Sequence, residues 1–357
     1  MNLLKSISIS FAFLLFVSLS AVGQSGGTFT IEKSVIAGGG GTTSGGTFTL
    51  DGTIGQPLAG TQSTGGSFSL QSGFWASSAS QVSVIKTRFD FDGDGKSDIS
   101  VFRPSNGIWY LLNSQTGFTS FQLGIANDRL APADFDGDGK TDLAVYRNGT
   151  WFIQRSTLGF TSIQFGITED IPQPADFDGD GRAEVVVFRP SNGIWYVINL
   201  VNNQFTAFQF GISEDRPVVG DYDGDTRADY AVFRPSNGIW YYQQSTAGFG
   251  AIQFGLNTDR AVPADYDGDN RTDVAVYRPS NGIWYYQRST AGFGTIQLGI
   301  DTDKPVPADY DGDGRADIAV FRPLNGIWYL QQSTLGFTAV QFGIAEDKPI
   351  PNAFVPQ

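Results

Sequence analysis

From residue 99 onward the chain consists of short apolar runs broken by polar turns, and the runs recur at a fixed interval. Asp142-Leu-Ala-Val-Tyr and Asp317-Ile-Ala-Val-Phe are β-branched and aromatic stretches without helical period, which predicts strands. One full unit starts at Pro263 with Pro-Ala-Asp-Tyr and continues through an acidic loop into Val274-Ala-Val-Tyr-Arg. A Pro279-Ser-Asn-Gly turn, Ile283-Trp-Tyr-Tyr, a turn near Gly292 and Thr295-Ile-Gln-Leu-Gly complete it. The unit therefore predicts four short strands, A to D. The acidic loops begin at Asp90, Asp134, Asp176, Asp221, Asp265 and Asp309, so the spacings are 44, 42, 45, 44 and 44 residues. The short spacing has a local cause: Arg147-Asn148-Gly149 lacks the Pro-Ser of the other B–C turns.

Four antiparallel strands repeated at this period fit a β-propeller blade. Trp109, Trp151, Trp195, Trp240, Trp284 and Trp328 occupy the same place in each unit, mostly between Ile and Tyr, which makes both faces of strand C apolar. A blade packed between two neighbours needs that, whereas a sheet with one wet face alternates with polar residues. These Trp are expected in the inter-blade core, with sugar-stacking platforms as the alternative. Pro349-Ile-Pro-Asn-Ala-Phe repeats strand A with Ala353 where the first Asp belongs, and is expected to close the ring by pairing with N-terminal strands. The fold class is all-β: a β-propeller of six, alternatively seven, four-stranded blades, preceded by a small Gly/Ser/Thr-rich β segment.

That segment carries three copies of one pattern, Gly26-Gly-Thr-Phe-Thr-Ile, Gly45-Gly-Thr-Phe-Thr-Leu and Gly65-Gly-Ser-Phe-Ser-Leu, read as β-hairpins rather than a flexible stalk. Ahead of it, Lys5, the apolar stretch Ile7–Leu19 and Ala21-Val22-Gly23 read as a secretory signal peptide, too short to span a membrane. The expected domains are a signal peptide at 1–23, the Gly/Ser/Thr-rich segment at 24–80 with Ser77-Ser-Ala-Ser-Gln81 as boundary, and the propeller at 81–357. No Cys follows the cleavage site, so no lipid anchor is expected, and with no Cys in the chain no disulfide is possible.

The acidic loops carry the chemistry. Each holds carboxylates at positions 1, 3, 5 and 9 of nine residues. The sets are Asp90, Asp92, Asp94 and Asp98; Asp134, Asp136, Asp138 and Asp142; Asp176, Asp178, Asp180 and Glu184. The remaining three are Asp221, Asp223, Asp225 and Asp229; Asp265, Asp267, Asp269 and Asp273; Asp309, Asp311, Asp313 and Asp317. Together they take 24 of the chain's 36 acidic residues. Carboxylates held a few Å apart repel by up to about 4 kcal/mol per close pair at an effective dielectric near 20. A hard divalent cation reverses that sign. Ca²⁺ accepts six to eight oxygens in flexible geometry, Mg²⁺ insists on a tight octahedron, and without His or Cys the softer metals lack their usual ligands. The expected cofactor is calcium, about six ions per chain. Asp and Gly are also plain turn formers, but turn formation alone does not require the same four-acid spacing six times.

The loop is not an EF-hand, which needs Gly at position 6 and a bidentate Glu at position 12. Here the invariant glycine is at position 4, position 6 includes Thr226 and Asn270, and position 12 is Val in every unit. Position 7 (Lys96, Lys140, Arg182, Arg227, Arg271, Arg315) is expected to give its carbonyl and point its side chain to water. Net charge is −13; it becomes −14 once Lys5 leaves with the signal, and six divalent ions bring it to about −2. The acidity therefore describes the metal-free chain, and no basic stripe suggests nucleic acid.

The Asp-x-Asp-Gly-Asp-x-x-x-Asp loop, together with Phe165-Gly166, Phe210-Gly211, Phe254-Gly255 and Phe342-Gly343 near the ends of strand D, resembles the FG-GAP or VCBS repeat over roughly residues 82–355. Leu123 and Leu298 depart from it. The resemblance implies the calcium-binding propeller found at the head of integrin alpha chains and in secreted bacterial proteins, with an extracellular setting. It names no ligand.

In an up-and-down blade the A–B and C–D connections share one end, so the acidic loops face one side. The other side gathers Arg103, Arg147, Arg189, Arg234, Arg278 and Arg322 with Asp128, Asp170, Asp215, Asp259, Asp303 and Asp347. That ring reads either as a ligand surface or as exposed ion pairs tying turns together. Lacking His and Cys, the chain has no Ser-His-Asp or Cys-His arrangement and no histidine-bound zinc, so it is read as no enzyme; carboxylate-pair glycoside chemistry is the remaining catalytic route. The expected function is a secreted or cell-surface binding or adhesion module for an extracellular protein or glycan, with a structural scaffold as the alternative.

Overall fold

The computed structural model describes residues 87–355, together with the backbone of six short strands between Ser25 and Leu70. The signal-peptide reading of 1–23 and the boundary at 77–81 lie outside the described residues. The chain divides into two compact units, Met1–Val84 and Ile85–Gln357. In the first, each copy of the glycine pattern falls on an antiparallel pair: Ser25–Gly26 with Phe29–Thr30, Gly40–Gly45 with Phe48–Thr53, and Ser63–Gly65 with Phe68–Leu70. Gly26, Gly45 and Gly65 face Phe29, Phe48 and Phe68, leaving two residues for each connection, the commonest hairpin length.

The second unit is a ring of six four-stranded antiparallel blades. Blade 2 shows the pattern: strand A is Arg129–Leu130, B is Leu143–Arg147, C is Thr150–Arg155 and D is Gly159–Gln164, in that spatial order. Strand B is buried along almost its whole length in every blade, while strand D is the exposed edge. Strand A of blade 1 comes from the far end of the ring. Lys348–Pro349 pairs with Ile99–Arg103, Lys348 facing Phe102 and Pro349 facing Val101. The extra A-strand read from the sequence thus closes six blades, and the seven-blade alternative falls.

All six strand-C Trp are 0 % exposed, which removes them as sugar platforms. Each indole N–H donates to a strand-D carbonyl, from 2.7 Å (Trp109 to Leu123) to 3.0 Å (Trp151 to Phe165). The acceptor is the residue just before the Gly of the Phe-Gly pair, Phe or Leu alike, so a hydrogen bond that ignores side-chain identity tolerates Leu123 and Leu298. The glycine itself is required. A Cβ on Gly166 (φ 115°) would lie 2.5 Å from the Tyr146 hydroxyl, and its carbonyl would lie 2.4 Å from a Cβ on Gly149. The turn and the strand end touch backbone to backbone.

Candidate metal centre

The acidic loop folds around its own carboxylates. In the first loop, Asp90 at position 1 accepts the N–H groups of Gly93 at 2.6 Å and Gly95 at 2.8 Å. Asp98 at position 9 reaches back to the Phe91 N–H at 2.7 Å. Position 6 is left-handed throughout, and where glycine is missing Thr226 (φ 74°) and Asn270 (φ 64°) adopt the same conformation. Asn tolerates it; a β-branched Thr does not do so readily.

The C–D turn forms a roof that sequence reasoning missed. In blade 5 the Ser289 N–H donates to Asp273 at 2.7 Å, while the N–H groups of Thr290 and Ala291 donate to one oxygen of Asp267 at 3.1 and 2.7 Å. The Ser289 and Thr290 hydroxyls both donate to Asp269. Equivalent turns at Ser114, Ser156, Ser245 and Ser333 do the same for position 9. The recurrent Ser-Thr-x-Gly of blades 2, 4, 5 and 6 was the visible signal. Blade 3 is built otherwise: Asn199 replaces the turn's contacts, donating its amide to Asp178 at 2.8 Å and to Glu184 at 3.0 Å.

After all these bonds, one oxygen stays without a partner. Oδ1 of Asp92, Asp136, Asp223, Asp267 and Asp311, the position-3 acid of five loops, is buried and receives no hydrogen bond. Around it stand other acids: one oxygen from each of Asp90, Asp92 and Asp94 lies within 4.8 Å of the others, as do Asp134, Asp136 and Asp142, and likewise Asp265, Asp267 and Asp269. Electrostatics agrees. Burial, then neighbouring Asp, push position 9 up to about 7 in Asp98, Asp142, Asp273 and Asp317, with Glu184 also at about 7 and Asp229 at about 6. At position 5 burial works the same way but is outweighed, and the roof hydroxyls hold Asp138, Asp225, Asp269 and Asp313 below the usual carboxylate range.

Loops are also joined to one another. The position-8 N–H of each loop donates to the position-1 carbonyl of the preceding loop, as from Thr141 to Asp90 at 2.6 Å, and Ser97 to Asp309 at 2.7 Å closes the circle. The position-7 side chains do not simply point to water. Their stems cross the neighbouring loop, so a Cβ on Gly137 would meet Arg182 at 2.8 Å and one on Gly312 would meet Lys96 at 2.9 Å. That crossing explains why position 4 is always glycine.

On the opposite side the Arg and Asp ring is internal. Asp128, Asp170, Asp215, Asp259, Asp303 and Asp347 have fully buried side chains, each ion-paired with the Arg of its own blade at 2.6–2.8 Å. The pairs are bidentate, as in Arg234 Nε and Nη2 on Asp215 at 2.7 and 2.8 Å. The same guanidinium lies 4.5 Å from the Tyr241 ring centre. The carboxylates are sealed while the guanidiniums stay partly exposed, so the pairs do tie turns together, as one of the two readings had it, but as clamps on buried acids rather than as exposed pairs.

Among known proteins, the family model described as FG-GAP-like repeat matches residues 90–145, 176–232 and 265–320. No curated protein matches the chain. Among solved structures, a lectin of Agrocybe aegerita described as recognising non-reducing terminal N-acetylglucosamine is 15 % identical, with TM-score 0.48, covering 74 % of this chain and 92 % of that one. BBS1N in complex with ARL6DN is 13 % identical, TM-score 0.47, covering 74 % and 82 %. Virginiamycin B lyase from Staphylococcus aureus is 5 % identical, TM-score 0.45, covering 72 % and 88 %. Likeness at this level concerns the fold alone. Among the described residues no helix is long and apolar enough to cross a membrane.

Proposed function

The chain is an FG-GAP repeat propeller, and from that premise we propose that it is an exported, calcium-stabilised, non-catalytic binding module for an extracellular protein or glycan. The fold suggests a binding or scaffold role. The calcium reading rests on one observation, the buried position-3 oxygen that five loops leave without a partner. An orphaned buried acceptor is costly, and its place among other carboxylates is suited to a hard cation with oxygen ligands. Positions 1, 3, 5 and 9 would hold the ion, which supplies the positive charge that the loop lacks. The backbone N–H groups and Ser/Thr hydroxyls orient those acids and keep water from the inner ones.

The domain limits at 1–23, 24–80 and 81–357, the secreted or cell-surface location and an adhesion role belong to the same proposal. A structural scaffold is the second reading, favoured by the Arg and Asp clamps, which engage that ring's carboxylates in tying turns together. Equilibrium dialysis against saturating millimolar calcium, with the ion counted on both sides of the membrane, tests the proposal: close to six ions per chain are expected, bound at the roughly 10⁻⁴ to 10⁻³ M typical of extracellular sites. One ion or none overturns it.

A further inference from the structure

A second set of cations stands on the side opposite the acidic loops, at the first residue of strand A: Arg129, Arg216, Arg260, Lys304 and Lys348, with Ile171 in blade 3. Strand D is the exposed edge of each blade, so strand A is the inner edge and these residues ring the mouth of the central channel. Their bonds run from one A-strand to the next. Arg260 donates to the Asp303 carbonyl at 2.8 Å, Lys304 to the Asp347 carbonyl at 3.1 Å, and Lys348 to the Ala126 carbonyl at 3.1 Å. Among the described residues none of the five forms an ion pair, because the Asp immediately before each of them is held bidentately by the Arg at the end of strand B; Asp301, on the connection ahead of Lys304, is exposed and forms no ion pair. Glu169, Glu214 and Glu346 on the same connections turn away, to Ser191, Ser236 and Ser105 of the B–C turns. The mouth therefore gathers cations whose nearest carboxylates, Asp128 and Asp347 among them, are already engaged by the strand-B Arg.

The electrostatics reflects that crowding. Burial, then Lys348 and Arg260, pull the Lys304 amine below its ordinary value, with Asp347 acting in the other direction. The Arg216 guanidinium makes no hydrogen bond among the described residues, and burial alone lowers it. Like charges converging around a channel repel each other, and one multivalent anion on the axis turns every such repulsion into an attraction. Backbone carbonyls occupy only part of the donor capacity, since Arg has five N–H donors and Lys three.

We propose that the channel mouth formed by Arg129, Arg216, Arg260, Lys304 and Lys348 is a binding site for a tetrahedral oxyanion, with sulfate as its simplest occupant. The site uses none of the acidic-loop residues, so it stands whether or not those loops hold calcium. Calorimetric titration of the full chain with sodium sulfate in calcium-containing chloride buffer, at constant ionic strength, tests it; phosphate would precipitate with calcium. One sulfate per chain is expected. The double variant Lys304→Met, Lys348→Met is expected to bind at least about tenfold more weakly, yet to melt in sulfate-free buffer no lower than the native chain, since relieved repulsion offsets the lost carbonyl bonds. Arg216→Gln, whose guanidinium makes no bond to lose, is expected to weaken sulfate binding without affecting folding. Arg155→Gln on the acidic-loop side is expected to leave sulfate binding unchanged, whatever it does to the turn it braces. No heat beyond a chloride control, or variants binding sulfate as well as the native chain, would overturn the proposal. So would a double variant that melts lower in sulfate-free buffer, which would make these cations structural caps.

Discussion

The two sides of the propeller each carry a sixfold ring of Asp, and the rings have opposite fates. On one side Asp215 and its five equivalents are fully buried, and each receives two N–H groups from an Arg whose stem and head are themselves supported by a Tyr or Phe. On the other, Asp267 and four of its equivalents are given backbone N–H groups on one oxygen and nothing on the second, while Asp178 alone has partners on both. Both rings are carboxylates at a fixed spacing in the sequence. The difference lies in whether the fold supplies the counter-charge. An Asp ring whose counter-charge is built into the fold is architecture, whereas five loops of the other ring keep one buried oxygen that the fold leaves without a partner.

Chelation should separate them most strongly. At calcium a hundredfold above the dissociation constant each loop gains about 2.7 kcal/mol of stability, and six linked loops make removal of the ion the largest single perturbation. Excess EDTA is expected to lower the melting temperature far more than any point substitution; an unchanged curve would make the acidic loops as self-sufficient as the Arg-clamped side. Next comes Arg234→Ala, which strands the fully buried Asp215. Denaturant unfolding should register a loss of about 3 kcal/mol, of the same size with calcium or EDTA, because the clamp and the loops sit at opposite ends of the blade.

The third test follows pH. In the metal-free chain Asp98, Asp142, Asp273 and Asp317 hold their protons up to about 7. Between about 4, the unfolded value, and about 7 the folded state binds more protons than the unfolded one, so stability falls as pH rises across that window. Thermal melts in EDTA are expected to show that decline, while melts in calcium should not, since the ion favours the ionised acids. The smallest effect belongs to Thr226→Gly. It relieves a β-branched residue at φ 74° and is expected to raise stability by about 1 kcal/mol in EDTA, with a urea titration as the measurement. A loss instead would mean that unfolded-chain entropy outweighs the strain.

Much of this was legible beforehand. The Trp spacing and the period gave the blades, and Ala353 marked an A-strand without a loop of its own, which is why the ring could be expected to close at six. The acid spacing located the candidate site because it is written in side chains. The roof over it was not, because Thr290 and Ala291 contribute backbone N–H groups that any residue carries. The clamps misled for a different reason. Arg and Asp near turns usually read as surface charge, and nothing in the order of residues says that Asp215 is sealed beneath its own blade. Position 7 escaped likewise, since its stem rests on a glycine of the preceding repeat.

The strand that closes the ring sets an order of assembly. Five blades are complete within a span of about one repeat, and their clamps join residues 19 apart, whereas in blade 1 Arg103 must find Asp347, 244 residues away. Loop closure at that separation costs roughly 2 kcal/mol more than at the shorter one, and contacts so distant in sequence slow folding. Blade 1, made first by the ribosome, is therefore finished last. Until then the flank of Ile99–Arg103 is an open strand edge, and such edges are where chains pair with the wrong neighbour. Folding of this chain thus carries an interval of exposure that ends only when Lys348 and Pro349 dock.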